Sequence, residues 1–326
     1  MSPRTRVLAL VAVAALVAVA AVVGGTLLQT RGESTVSPGS VSKPRAGYPP
    51  LELDFGVRGD AEARALARAQ TLYRRGEVAQ AAAIFARYRA LEARIGAAFA
   101  AWKRGGLEGV QKLAATYPRS ALVQLHLGWA EYWAGRNADA VVAWTRATQL
   151  QPDSPYAVDA EDALHPSTIP GLPYIIPGFE PSPAVASLPA AQELAALRRA
   201  AAKPDARAKL LYGDALWNLK RPLSAERQFQ AAARLAPHDP VARTAAAVGA
   251  FTKANPVRAF GRLGPLTGVF PTAPVVRFHL GLLLLWTGNR TKAVKQLQLA
   301  ARYGPHTVYA TYADALLARL GKMGRK

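Results

Sequence analysis

The chain has 326 residues, 51% hydrophobic and 19% charged, enough to bury a sizeable core. It contains no cysteine, which excludes disulfides, thiolate metal ligands, a cysteine nucleophile and lipid attachment through a thiol. The net charge of +20 favours anionic neighbours, but no run resembles a basic arm, so it reads as a solvated, positively biased surface.

After a short basic N-terminus (residues 1–6, with Arg4 and Arg6), Val7 to Leu28 is uncharged throughout. As a helix it would reach about 33 Å, enough to cross a hydrocarbon core of about 30 Å. The competing reading is a cleaved signal peptide, with Ala18-Val19-Ala20 as a small-x-small site. The apolar run is long for that and continues past the site, so the expectation is an uncleaved transmembrane anchor. Arg4 and Arg6 ahead of the span argue for the N-terminus inside, which would place the rest outside the cytoplasm. Arg31, Lys43 and Arg45 on the far side narrow that margin. Residues 29–60 follow as a linker; from Thr30 to Pro50 they are rich in Ser, Gly and Pro and read as a flexible tether.

The remainder alternates helical periodicity with short turns, and almost nothing reads as strand. "RSALVQLHLGWAEYWAGRNADAV" from Arg119 matches "TAPVVRFHLGLLLLWTGNRTKAV" from Thr272: both carry H-L-G, then W-x-G, then A-V. This pattern resembles the tetratricopeptide repeat, a 34-residue helix–turn–helix unit. Its marks fall at Leu127, Gly128, Gly135, Ala140, Trp144, Ala147 and Pro152 in unit 121–154. In unit 274–307 they fall at Leu280, Gly281, Gly288, Ala293, Leu297, Ala300 and Pro305. Unit 206–239 has Tyr212, Gly213, Ala225, Phe229, Ala232 and Pro237, with Lys220 in place of the turn glycine. Units 62–95 and 240–273 are weaker, and 96–120 is shortened. The resemblance implies an all-α protein, an α-solenoid of such repeats behind one transmembrane helix.

On this reading residues 61–154 form a first array and 155–189 a Pro-rich connector. Residues 190–320 hold a helix, a second array and a C-terminal capping helix, and 321–326 are a basic tail. Asp205 is a candidate N-cap, and Trp144 is expected to be core. Between His165 and Pro189, Ile169, Leu172, Tyr174, Ile175, Ile176 and Phe179 are too apolar for an ordinary linker and should lie against something.

No H-E-x-x-H, P-loop, G-x-S-x-G or dinucleotide fingerprint occurs, so no enzyme, cofactor or metal is expected. His126 and His279 hold equivalent repeat positions, which repeat packing explains better than ligation. Asp153, Asp159, Glu161 and Asp162 read as a solvated face, or a place for a basic partner.

The resemblance implies a concave groove lined by the first helix of each unit. Carried over, the lining is Leu122, Leu125, Trp129, Tyr132 and Trp133, then Leu210 and Trp217, Val248 and Phe251, and Val275, Phe278, Leu282, Leu285 and Trp286. Leu66 and Tyr73 join it from the first unit. This apolar groove suits a peptide or helix of a protein partner, which the sequence does not identify. It could equally be filled by the chain itself, through residues 166–183 or Tyr48–Val57. The expected role is a membrane-anchored, non-enzymatic protein–protein interaction scaffold. Two rivals remain: binding of an anionic lipid, polymer or nucleic acid by the basic surface, and an envelope glycan enzyme using Glu131 and Asp214. An extracytoplasmic location disfavours nucleic acid.

Overall fold

The computed structural model describes residues 42–323, so the expected anchor at 7–28 and residues 1–6 lie outside it, as do 324–326 of the basic tail. All regular structure among the described residues is helical. None of these helices is long and apolar enough to cross a membrane.

Helices come in antiparallel pairs. The first array runs α1 (Ala61–Arg74), α2 (Val78–Phe85), α3 (Leu91–Ala100), α4 (Gly106–Thr116), α5 (Ala121–Trp133) and α6 (Asn137–Leu150), closed by α7 (Pro155–Leu164). A short turn α8 (Pro183–Ala186) and α9 (Ala190–Ala201) lead to the second array. That array comprises α10 (Ala206–Asn218), α11 (Pro222–Leu235), α12 (Pro240–Val248), α13 (Val257–Leu263), α14 (Leu266–Val269), α15 (Pro274–Trp286) and α16 (Arg290–Tyr303). It is closed by α17 (Val308–Met323).

Local chemistry sets the ends of these helices. Ser120, Ser154 and Asp205 each accept a bond from the backbone N–H three residues on, satisfying a donor the helix cannot. Proline begins α7, α11, α12 and α15, where no N–H is needed. Pro152, Pro237 and Pro305 each fall two residues past a helix end, which stops the helix because proline has no N–H to donate.

Three hairpins close by fitting a large side chain of the second helix onto a glycine of the first. Trp144 lies over Gly128, Phe229 over Gly213 and Leu297 over Gly281, so close that a Cβ there would strike the side chain. Phe229, Leu297, Ala140, Ala225 and Ala293 are fully buried, and Trp144 is 4% exposed. Small residues at these points let the backbones approach to interaxial distances of about 8–10 Å. Gly135 and Gly288 turn the chain with φ of 83° and 79°, which glycine adopts without a Cβ penalty. Lys220 makes the same turn at φ 52°.

From residue 42 on, the expected flexible tether is instead packed on the fold, and the apolar part of the connector lies against the second array as its composition requires. Residues 42–57 lie along the first array, and 169–179 along the second, both extended. Each contributes buried side chains: Leu51 and Leu53 to one core, Ile169 and Ile175 to the other. Pro-rich chain has no helical period, yet its apolar residues still lose water once a groove receives them.

Candidate functional site

The two extended segments, here called straps, occupy the concave side of the arrays in one register. Strap 1 reads "GYPPLELDF" from Gly47 and strap 2 reads "GLPYIIPGF" from Gly171. Both glycines have φ of 83°. The third residue presents its carbonyl to an aromatic donor at the twelfth position of a repeat unit. Tyr73 Oη donates to Pro49 O at 2.8 Å, and Trp217 Nε1 donates to Pro173 O at 2.7 Å. The fifth residue, Leu51 or Ile175, is buried at 1% and 6% exposure.

The sixth residue meets a histidine. The N–H of Glu52 donates to His126 Nε2 at 3.2 Å, and that of Ile176 to His279 Nε2 at 3.0 Å. In each ring Nδ1 sits 2.7 Å from the carbonyl four residues back, Leu122 O or Val275 O. A carbonyl only accepts, so Nδ1 carries the proton and Nε2 keeps a lone pair for the strap. Both rings are essentially buried, which pushes their pKa down to about 4 by desolvation of the charged form; the carbonyl bond opposes this. Neutral histidine is therefore the clamping species. Beyond it the closing helices add a tyrosine each. Tyr156 Oη donates to Asp54 O, and Tyr309 Oη to Ile176 O and Pro177 O.

Strap 1 has a further hold before Gly47. Ser42 N–H donates to Gly135 O and Arg45 N–H to Trp133 O. Trp133 Nε1 donates to Ala46 O at 3.1 Å. The Arg45 guanidinium lies 3.3 Å from the Tyr132 ring centroid, a cation–π contact. Gly135 serves twice here, because a Cβ would also strike Ser42 O.

Of the anticipated groove residues, Trp133 and Trp217 bond the straps directly, and Trp286 stacks edge-on against Tyr174 of strap 2 at 6.2 Å. Leu122 shares the core cluster of Leu51 and Leu53. Leu210, Val248, Phe251, Val275, Phe278 and Leu282 share that of Ile169 and Ile175, with Leu285 partly buried against it. Leu125 is not groove wall: it is fully buried beneath the hairpin with Ala121, Ala140 and Trp144. Trp129 and Tyr132 form an aromatic cluster with Trp144, at centroid separations of 4.9 Å and 5.6 Å. Of the two occupants open for the groove, a foreign peptide or the chain itself, the described residues place the chain's own straps there. His126 and His279 were read only as repeat packing, and Tyr156 and Tyr309 were not singled out. Their recurrence at matching positions was the available signal.

The acidic cluster is not a solvated face. Asp153 Oδ1 accepts the N–H groups of Leu223 and Ser224 at the start of α11, at 2.9 Å and 3.0 Å. Asp159 meets Lys220 at 2.5 Å. Asp162 accepts the Gly171 N–H and pairs with Lys253, whose side chain is 2% exposed and also donates to Ile169 O at 2.7 Å. Burial pushes Asp159 up to about 6 against the pull of Lys220. The basic partner of this cluster is the second array.

The two acids considered for an enzyme lie in different arrays, Glu131 on α5 and Asp214 on α10. Glu131 accepts from Gln111 Nε2 at 2.7 Å and lies 3.5 Å from Arg136, inside the helix packing. Among the described residues no group of three or more His, Asp or Glu could hold a metal ion.

No protein-family model and no curated protein matches the sequence. Solved structures do. YrrB, a TPR protein described as having an unusual peptide-binding site, is 16% identical, covering 64% of this chain and 99% of its own at a TM-score of 0.32. MamA is 14% identical, covering 67% and 96% at 0.26. Yeast Tom70 is 14% identical at 0.31, with 79% of this chain spanning 48% of that one. What defines the fold is internal: a run of helix hairpins, three of them closed by a large side chain of the second helix on a glycine of the first. The chain is a tetratricopeptide-like α-solenoid, folded over two straps of its own.

Proposed function

We propose that the protein is a non-enzymatic scaffold for protein–protein interaction, tethered to a membrane by Val7–Leu28 with the repeats outside the cytoplasm. The observation that carries the scaffold reading is the solenoid itself, an all-helical repeat fold among the described residues. The tether rests on the uncharged 22-residue run and on Arg4 and Arg6 before it. Because the straps fill the concave side, partners meet the outer helices, not the groove.

Site-specific photo-crosslinking in intact cells tests this. A crosslinker at exposed Val142 on α6 should give discrete protein adducts, whereas one at Leu51 should crosslink only within the chain. Adducts confined to Leu51 would return the partner to the groove with the strap displaced. Protease added to intact cells should digest a tag after Lys326; protection until lysis would place the repeats inside.

A further inference from the structure

The charge of this protein is distributed unevenly, and the fold sorts it further. Residues 165–326 hold 22 lysines and arginines against 7 acids, so most of the +20 lies in the second half. Within each hairpin the first helix faces the straps and the second lies on the outside. In the first array the outer helices are close to neutral. α2 has no charged residue, α4 has Glu108 paired with Lys112 at 2.8 Å, and α6 has Asp139 and Arg146.

The second array differs. Its outer helices α11, α13 and α16 expose Arg227, Arg234, Arg258, Arg262, Lys295 and Arg302. Their one acid, Glu226, is 8% exposed and is taken up by Arg258 at 2.6 Å and Arg262 at 3.3 Å. Arg227 leans toward Asp153 at 3.9 Å. On α16 the apolar side is Ala293, Leu297 and Ala300, and Lys295, Gln298 and Arg302 point the opposite way by helical periodicity. The result is a convex face of one sign, with no outward acid on these three outer helices.

We infer that this convex face of the second array docks on a bilayer surface carrying anionic lipid headgroups. The charge complements such a surface, and the concave side is closed to a ligand. The chain that leads to the fold also limits the distance: residues 29–41 separate the apolar run from Ser42, a reach of about 50 Å at most. The docking deepens the tethered-scaffold reading and rests on it for proximity to the membrane. Bound this way, the protein holds its second array against the headgroups and leaves the neutral outer helices of the first array for a protein partner.

The absence of native cysteine makes the test direct. The full chain, with Gln298→Cys or Val142→Cys labelled by a donor fluorophore, is placed in nanodiscs containing an acceptor lipid. With phosphatidylglycerol present, energy transfer from position 298 should exceed that from 142, and the difference should vanish in pure phosphatidylcholine or at high salt. The triple variant Arg234→Glu, Lys295→Glu, Arg302→Glu should lose the difference while keeping the helical spectrum. On vesicles, its charge-dependent binding should fall by two orders of magnitude or so, at roughly fivefold per cation. Equal transfer from both positions, or a difference indifferent to anionic lipid, overturns the docking. So does suppression of the signal by polyglutamate or duplex DNA at a lower charge concentration than anionic vesicles require, which would make the occupant a soluble polyanion. Failure of the chain to remain in neutral discs would sink the tether alone, since the charge-dependent signal on anionic discs still reads the docking.

Discussion

His126 and His279 are the residues on which the strap geometry turns, and their burial makes that geometry pH-dependent. Each has its pKa depressed to about 4 in the fold, while the unfolded chain titrates near 6.5. The unfolded state then binds more protons between these values, so stability rises with pH there. The contribution is complete above about 6.5 and is lost as pH falls through 4, at about 3 kcal/mol per histidine. Around His126 stand the Phe99 ring, Leu122 O and the Glu52 N–H; around His279 stand Phe278, Tyr309, Val275 O and the Ile176 N–H. Asp159, raised to about 6, acts with the opposite sign between about 4 and 6. Urea unfolding of the protein and of His126→Gln/His279→Gln from pH 4 to 7 separates the two, because Asp159 is common to both. The variant should lose most of the upward slope; an unchanged slope would mean the rings do not titrate as a clamp. Packing gives a second expectation at this scale. Gly128→Ala sets a methyl against the Trp144 indole, and thermal unfolding should show a loss of about 1–3 kcal/mol.

The straps are elements without secondary structure, held by side chains of the helices they cross. Tetratricopeptide-like hairpins bury small faces against each other and leave an apolar inner wall, and exposed apolar surface of that size is unusual in a soluble fold. A strap of alternating contacts removes it from water while giving its own backbone groups partners on Tyr73, His126, Trp217 and His279. Leu51→Ala should cost about 2–4 kcal/mol, because the side chain is enclosed on all sides. Hydrogen exchange at the Glu52 amide should accelerate more than that at Ile176, since each strap is seated in its own array. Equal acceleration at both amides would show that the straps are released together.

At the scale of the whole molecule, two similar halves are joined through charge. Each half is a strap, a run of hairpins whose last one bears the histidine on its first helix, and a closing helix with a strap-bonding tyrosine. The joint pairs Asp159 with Lys220 and Asp162 with Lys253. Lys220 adopts the left-handed turn that glycine makes elsewhere, a conformation disfavoured by about 1 kcal/mol, and thereby brings its ammonium to the first half. Lys253→Ala leaves Asp162 without its ammonium partner at a largely buried site and should destabilise the joint by about 3 kcal/mol. Calorimetry should then resolve two transitions in place of one, with a larger radius of gyration at high salt. A single transition with unchanged dimensions would show that apolar packing alone holds the halves together.

The helical hairpins were legible in the sequence because their signal is local: an apolar period, a turn glycine, a proline after the second helix, and a small residue opposite a large one. Trp144 over Gly128 is what the repeat resemblance implies, and Asp205 capping α10 follows from its place just after Pro204. The straps were legible as two segments, 166–183 and Tyr48–Val57, able to fill the groove, but not as the only occupants it could have and not in their common register. Their common pattern spans nine residues separated by 124 positions, and nothing along the chain marks Glu52 and Ile176 as equivalent until two histidines meet their amides. The acidic cluster reads equally as a solvated face or as a place for a basic partner for a related reason: a charged helix flank looks the same whether its partner is water or a lysine 91 residues away. Periodicity and steric fit within a hairpin are properties of neighbouring residues, so sequence determined them. Which apolar strand enters which groove, and which charge meets which, depends on surfaces that exist only once the solenoid has closed, so the tertiary structure decided them.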